Sequence, residues 1–552
     1  MIQKSVINMK KYGLSGFVLG LVVFALITAG CTSQGTNSTD TTKTGALEAD
    51  VIHLTGGDYG YPQPFSITPR GPAIYKANLI FDCLLERDEK GLIPWLAESW
   101  TATPDGREYT FVLRENVRWQ DGAPFTADDV KFTFDYEKEH FPVGGGIEDG
   151  VIDHVEVLDD HTVKFVLVEP TSTFFYKLAT FMIIPEHIYS KVSDPAAFLA
   201  PEAVIGTGPY RLDEYNREHG SYRFVANDEF WGPKPAINVV EFIPVSDELI
   251  AFEQGQIDFS SEISPDVMGR FADNPDIRVV PQPGVFAYEF YFNMNKRPEL
   301  SDQKVRQAFV YAIDRNELVE KIQRGAGKPG NMGMLPEEHI WYNPDQPEYA
   351  FNVEQAEMLL ESAGWKDTDG DGIRDRDGKK LSFTLSVGSD EVRFGEILKD
   401  RLGNVGIDIQ VRALESKSRD ANLKKGDFEL IIAGYGGWGG DADFLRTKYT
   451  DVASTTSALS PLASVYGYKN SELDALAAAE MTELDDEKRK GIVYDMQKIL
   501  AEDVPAIPLL YTTRPDVWYI SQYDGWMCPF NHHSRTMAKL SYLKREGVAA
   551  KR

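Results

Sequence analysis

Cysteine is almost absent from this chain, with three among 552 residues. That is too few for a disulfide framework or for a Cys-based zinc or iron–sulfur site. Histidine is scarce as well: nine in all, scattered apart from His532-His533. Basic charge is in deficit, with 57 Lys+Arg against 85 Asp+Glu and a formal net charge of −28. So acidic a chain repels phosphate backbones and anionic headgroups at long range, which argues against nucleic acid as a partner and assigns the charge to solubility. Beyond the N-terminus no apolar run is long enough to span a bilayer, and no repeat recurs at a solenoid or propeller period. Enzymatic signatures are lacking too. There is no G-x-S-x-G elbow and no H-E-x-x-H, and Gly325-Ala-Gly-Lys328 is followed by Pro329 where a phosphate loop needs Ser or Thr. At 42% hydrophobic and 26% charged residues the composition is globular, which excludes wholesale disorder, collagen and coiled coil.

What is present begins at the N-terminus. Residues 1–11 carry Lys4, Lys10 and Lys11 and no acid, and residues 14–29 form an apolar run that ends in Gly30-Cys31. This is the layout of a secretory signal, so the protein is expected to be exported and not to be an enzyme of the cell interior. The segment Thr28-Ala29-Gly30-Cys31 resembles a lipobox, with Thr28 where an aliphatic residue is usual, and makes Cys31 the expected lipidated first residue of the mature chain. An uncleaved anchor is the alternative, because the run is only slightly shorter than the ~20 residues that span a bilayer. Residues 31–49 are rich in Ser, Thr and Gly and read as a flexible tether. Signal, anchor and tether place the working part at the outer face of the cytoplasmic membrane, in the periplasmic space. Together with the missing catalytic motifs, they favour capture over catalysis.

The remaining chain mixes both element types. Strand-like segments at 109–113, 155–157 and 162–168 alternate with helical stretches at 302–321, 352–363 and 485–502, an α/β pattern. Helix starts are marked at Thr126, Ser301-Asp302 and Asn352, and turns at Asp105-Gly106, Asp121-Gly122 and Asp377-Gly378.

Several long segments carry a more specific message. They are Ile93-Pro-Trp-Leu-Ala-Glu-Ser-Trp100, Tyr109-Thr-Phe-Val-Leu-Arg114 and Trp119-Gln-Asp-Gly-Ala-Pro-Phe-Thr-Ala-Asp-Asp-Val130, then Gly206-Thr-Gly-Pro-Tyr210, Asn227-Asp-Glu-Phe-Trp-Gly232 and Val305-Arg-Gln-Ala-Phe-Val-Tyr-Ala-Ile-Asp314. Together they resemble the solute-binding proteins of peptide- and nickel-type ABC importers, family 5, over nearly all of residues 50–545. Large aromatics such as Trp95, Trp119 and Phe111 read as packing residues, and the glycines of Gly206-Thr-Gly-Pro as a sharp reversal, so these motifs identify a fold and not a ligand. The resemblance implies an α/β two-lobe periplasmic-binding-protein clamp (type II, cluster C). Its expected layout is a signal peptide at 1–30, a tether at 31–49, lobe I at 50–82, 203–282 and 509–552, an inserted subdomain at 83–202, and lobe II at 283–508. Solute then binds between the lobes, and closure removes water from it.

The same resemblance implies which residues hold the solute. Gly437-Trp-Gly-Gly-Asp441 follows the strand-like 428–432, beyond whose carboxyl end an open α/β sheet binds ligands. Asp441, with Asp443 as a weaker choice, is expected to take a peptide ammonium, while Gly437 allows close approach and Trp438 offers a platform. Arg393 is expected to take the peptide carboxylate, and Tyr59, Tyr61 and Phe65 to line the lobe I wall. Expected partners are short peptides, the permease subunits of an ABC importer and the membrane through the lipid, with the chain a monomer and no cofactor required. A nickel or metal-chelate ligand is the alternative within the family, and an exported hydrolase the alternative outside it. Asp367, Asp369, Asp371 and Asp375 alternate around Gly372 as hard-cation loops require, although Gly378 replaces the closing Glu, so a structural calcium stands against a plain acidic turn. A Cys83–Cys528 disulfide and metal capture by His532-His533 are left open.

Overall fold

In the computed structural model the described residues are 45–68, 71–143, 147, 150–261, 263–271, 273–282, 284, 286–436, 441–451, 463–529 and 534–545. The chain opens with β1 (Ala49–Thr55) and α1 (Gly71–Asn78), then enters a separate body. That body holds β2 (Leu85–Arg87), β3 (Leu92–Pro94), β4 (Ala97–Ala102), β5 (Glu108–Leu113), α2 (Ala127–Glu139), β6 (Ile152–Asp159), β7 (Thr162–Leu167), α3 (Phe174–Leu178) and α4 (Glu186–Tyr189). The chain returns with β8 (Tyr210–Asn216), β9 (Ser221–Ala226), β10 (Ile237–Ile243), α5 (Glu248–Glu253), β11 (Phe259–Ser260) and β12 (Ile277–Pro281). The second lobe starts with β13 (Phe286–Phe292), α6 (Gln303–Ala312), α7 (Arg315–Gln323), β14 (Gly327–Pro329), α8 (Val353–Ser362), β15 (Asp375–Arg376) and β16 (Lys379–Lys380). It continues with β17 (Ser382–Gly388), α9 (Val392–Gly403), β18 (Asp408–Leu414), α10 (Ser416–Lys425), β19 (Leu430–Gly436) and α11 (Phe444–Tyr449). It ends with α12 (Ala463–Tyr466), α13 (Ser471–Thr482), α14 (Asp486–Asp503) and β20 (Ala506–Thr512), and β21 (Pro515–Tyr519) leads back to the first lobe.

Local sequence explains most of these elements. β5 and β7 alternate buried and outward residues, as strands with one covered face do, whereas every residue of the apolar β20 is buried in the middle of its sheet. The helix expected at 302–321 is two helices. Ile313 turns extended, and the Asp314 carboxylate caps the second by accepting from Asn316 and Glu317 N–H. Asp377 and Gly378 both have positive φ (54° and 74°) in the two-residue link between β15 and β16, a position that suits Gly and tolerates Asp.

Among the described residues three large apolar cores follow from the sheets, with a smaller fourth around Phe252, Ile257, Phe271 and Val517 beside β11-β21-β12. Lobe I gathers on β1-β10-β9-β8, the inserted body on β4-β5-β7-β6, and lobe II on β14-β20-β13-β19-β17-β18. Because β20 pairs with β13 and β14 as far as Thr512, lobe II runs past the expected edge at Pro508, and the crossing to lobe I falls at Thr513-Arg514. The two crossings lie side by side. β12 pairs antiparallel with β21 in lobe I and β13 with β20 in lobe II, and between them Gln282 N–H donates to Arg514 O at 3.1 Å.

The signature motifs converge on one buried carboxylate. Asp82, with no exposed surface, accepts from Trp95 Nε1 at 2.7 Å, Thr207 Oγ1 at 2.9 Å, Trp231 Nε1 at 3.2 Å and Lys539 Nζ at 2.5 Å. It thereby ties the inserted body, two segments of lobe I and the C-terminal segment together, and satisfaction of every lone pair is what lets such a charge stay buried. Gly206 and Gly208 are required by contact: a Cβ on either would lie 2.0 or 2.5 Å from Ile80 O. No disulfide joins Cys83 to Cys528.

Candidate binding cleft

β17 runs parallel to both β18 and β19, and their carboxyl ends at Gly388, Leu414 and Gly436 share one edge of the lobe II sheet. β20 runs in the same sense, since both it and β19 pair antiparallel with β13. Its carboxyl end leads into lobe I, so this edge is the one that borders the other lobe. An open α/β sheet binds ligands in the crevice beyond such an edge.

Arg393 sits there in the first turn of α9, exposed, with no hydrogen bond or ion pair among the described residues. The helix N-terminus adds positive potential to its own charge. Its neighbour Glu391 is buried and fixes the turn: Oε2 accepts from Gly388 N–H at 2.9 Å and Oε1 pairs with Arg419 at 2.5 Å. The edge therefore presents one uncommitted guanidinium on a braced corner.

Asp441 behaves differently from what was expected of it. It is buried, and Arg489 of α14 grips it with two bonds, Nη1 to Oδ2 at 2.9 Å and Nη2 to Oδ1 at 2.5 Å. Arg489 Nε also donates to Glu480 Oε1 at 2.7 Å. Burial, and then the carboxylates of Asp443 and Asp441, push the Glu480 carboxyl up to about 8 against the pull of Arg489. Asp443 is buried too and pairs with Arg446 at 2.5 Å. The free carboxylate that ammonium recognition needs is therefore missing at both positions, and these acids hold the chain beyond β19 to α11 and α14. Sequence reading missed Arg489 because it stands in the charged run Asp485-Asp-Glu-Lys-Arg-Lys490, which looks like a solvated helix start.

On the lobe I side the loop after β1 is partly as expected. Tyr59 and Tyr61 are half-buried; Tyr59 N–H donates to Tyr222 Oη at 2.9 Å, and the Tyr61 ring meets Tyr215 edge-on at 5.7 Å. Phe65 is a correction. It is buried among Tyr136 and Tyr189 in the lobe I core, where aromatic burial outweighs display at a wall. In the same loop partial burial raises the Asp58 carboxyl, but the Tyr215 hydroxyl, Gly60 N–H, Arg217 and Lys417 outweigh it and hold it below the usual range. Lys417 belongs to α10 of lobe II. Behind the loop, Lys76 is buried with its ammonium over the rings of Phe242 (4.1 Å), Tyr59 (4.8 Å) and Tyr222 (5.2 Å), and burial lowers it to about 7.

Gly437, Trp438, Cys31, His532 and His533 lie outside the described residues. In the acidic loop Asp367, Asp369 and Asp375 bring carboxylate oxygens within 4.8 Å of one another, while Asp371 turns to Lys380, which also reaches Asp369 at 3.2 Å. The expected set of four is thus a set of three, because a lysine takes the fourth.

A sequence model of the family described as "Bacterial extracellular solute-binding proteins, family 5 Middle" matches residues 91–456. The chain belongs to this family. The dipeptide-binding protein of Escherichia coli (strain K12) is 29% identical over 449 residues, 76% of this chain and 81% of that protein. The nickel-binding periplasmic protein of the same organism is 27% identical over 435 residues, 72% and 79% of the two chains. In fold, this family 5 chain is similar to the oligopeptide-binding protein AppA from Bacillus subtilis in complex with a nonapeptide, with a TM-score of 0.74 and 24% identity over 90% of this chain and all of that one. The α/β two-lobe fold implied by the motifs is the fold observed. These relatives are named as binding proteins and not as enzymes, and among the described residues no helix is long and apolar enough to cross a membrane.

Proposed function

We propose that this family 5 chain captures short peptides between its lobes and hands them to the permease subunits of an ABC importer, working as a monomer held to the outer face of the membrane by a lipid on Cys31. The observation that carries the peptide reading is Arg393, exposed and uncommitted at the carboxyl edge facing lobe I. A guanidinium there suits a terminal carboxylate, because a charge-assisted pair formed as the lobes close offsets the desolvation of both groups. With Asp441 gripped by Arg489, recognition rests on the carboxylate end of the solute. Titration with a dipeptide, its C-terminal amide and its N-acetyl form tests this. The amide should bind about 30-fold or more weakly, whereas acetylation should cost less than about fivefold. Equal affinity for acid and amide would refute it.

The same observation favours a second reading, an anionic metal chelate whose carboxylates meet Arg393, in keeping with the relative named for nickel. Calorimetry with a nickel–histidine complex against the dipeptide set separates the two. The trio Asp367, Asp369 and Asp375 supports calcium as a structural ligand of the loop, with no part in solute capture.

A further inference from the structure

The lobes meet a second time, away from the paired hinge strands. In the inserted body, Ser172 N–H donates to Met481 O at 2.7 Å, and Met481 lies near the end of α13 in lobe II. Close by, the Leu484 side chain rests on the Asp105-Gly106 turn, so tightly that a Cβ on Gly106 would come within 2.3 Å of Leu484 Cδ1. Thr173, Phe174 and Lys177 from the inserted body, with Met481 and Arg446 from lobe II, border a gap of ≈10 Å³, at the lower limit for a single water. Tyr176 belongs to the same seam. Burial and then the Asp441 carboxylate push its hydroxyl up to about 12.

We infer that the α13–α14 corner and the Ser172 loop form an interlobe clasp, which holds the closed clamp at a second place besides the hinge crossings and parts when the lobes open. The inserted body is fixed to lobe I through Asp82, which binds Trp95 on one side and Lys539 on the other. The corner belongs to lobe II, where α13 and α14 pack together and Arg489 bonds Glu480 and Asp441. A hinge rotation carries these two halves apart as rigid pieces, so the Ser172–Met481 bond cannot survive opening. A backbone bond with a small apolar contact shifts the balance of closed and open forms by about 5- to 30-fold. The inference does not depend on which solute the cleft takes.

The test is hydrogen exchange of the Ser172 amide in the full chain without added solute. In the native chain it should exchange at least about tenfold more slowly than an exposed loop amide, since it is bonded to Met481 O of lobe II. Leu484→Asp, at a side chain that is 45% exposed and outside the cores, sets a charge against Asp105. It should return Ser172 to within about threefold of the exposed rate, leave the Phe111 and Val163 amides protected, and expand the molecule in small-angle scattering. Ser172→Pro, which lacks the donor, should expand it likewise. A Ser172 amide that exchanges freely in the native chain would overturn the clasp. So would protection that Leu484→Asp leaves unchanged, or a loss of protection that extends to Phe111 and Val163, which would mark the contact as part of the folding of the inserted body.

Discussion

Two arginines stand near one edge of the lobe II sheet and have opposite fates. Arg489 is 4% exposed and bonded to two carboxylates, whereas Arg393 is exposed and bonded to none among the described residues. The buried arginine has no charge left to offer a solute, and its partners have none either. The exposed one keeps its full hydrogen-bonding capacity, so at this edge recognition and support are divided between two guanidinium groups of the same chemistry.

Removing the buried cation should break the comparison most. Arg489→Met leaves Asp441 and Glu480 close together without a counter-charge, and should cost about 3–5 kcal/mol of stability by urea or thermal unfolding. Arg393→Gln should leave unfolding within about 0.5 kcal/mol of native, yet weaken a carboxylate-bearing dipeptide by about 2–5 kcal/mol in calorimetry. If both variants lose stability alike, the division of roles is wrong.

Lobe I sharpens the contrast with a buried cation that, among the described residues, meets aromatic faces and one carbonyl, Pro72 O at 3.3 Å. Lys76 is lowered to about 7 in the fold against 10.5 in the open chain. Between those values the unfolded chain holds one more proton than the folded one, so stability should rise with pH at up to about 1.4 kcal/mol per unit. Lys76→Met should remove that rise, which paired denaturation curves at pH 7 and pH 10 would show. The smallest effect concerns the acidic loop. Calcium at millimolar concentration should raise the melting temperature by a few degrees over chelator, and Asp367→Asn should abolish the increase.

Much of the fold was legible because its determinants are local or carried by unmistakable residue types. Trp95, Thr207 and Trp231 signal the Asp82 hub only through the family resemblance of their motifs, but Gly206 and Gly208 state a backbone requirement that no other residue meets against Ile80 O. Strand alternation in β5 and β7 and the capping acid before α6 are likewise written in spacing alone. The site was legible only in part. A glycine-rich loop with an aspartate after a strand predicts a ligand carboxylate, whereas Asp441 is buried and bonded to Arg489.

By itself, then, the sequence determined an α/β class and the positions of its turns, which follow from periodicity and from residues that tolerate few backbones, while the two-lobe plan came only through the resemblance of its motifs to the family. Tertiary structure alone decided which charges are available. Asp441 and Arg489 are 48 residues apart, and nothing in either segment says that they meet. Phe65 could line a wall or fill a core until Tyr136 and Tyr189 close over it. The reason is physical: an ion pair or an aromatic contact depends on distance in space, and distance between remote segments is set by how the cores pack, not by the order of residues along the chain.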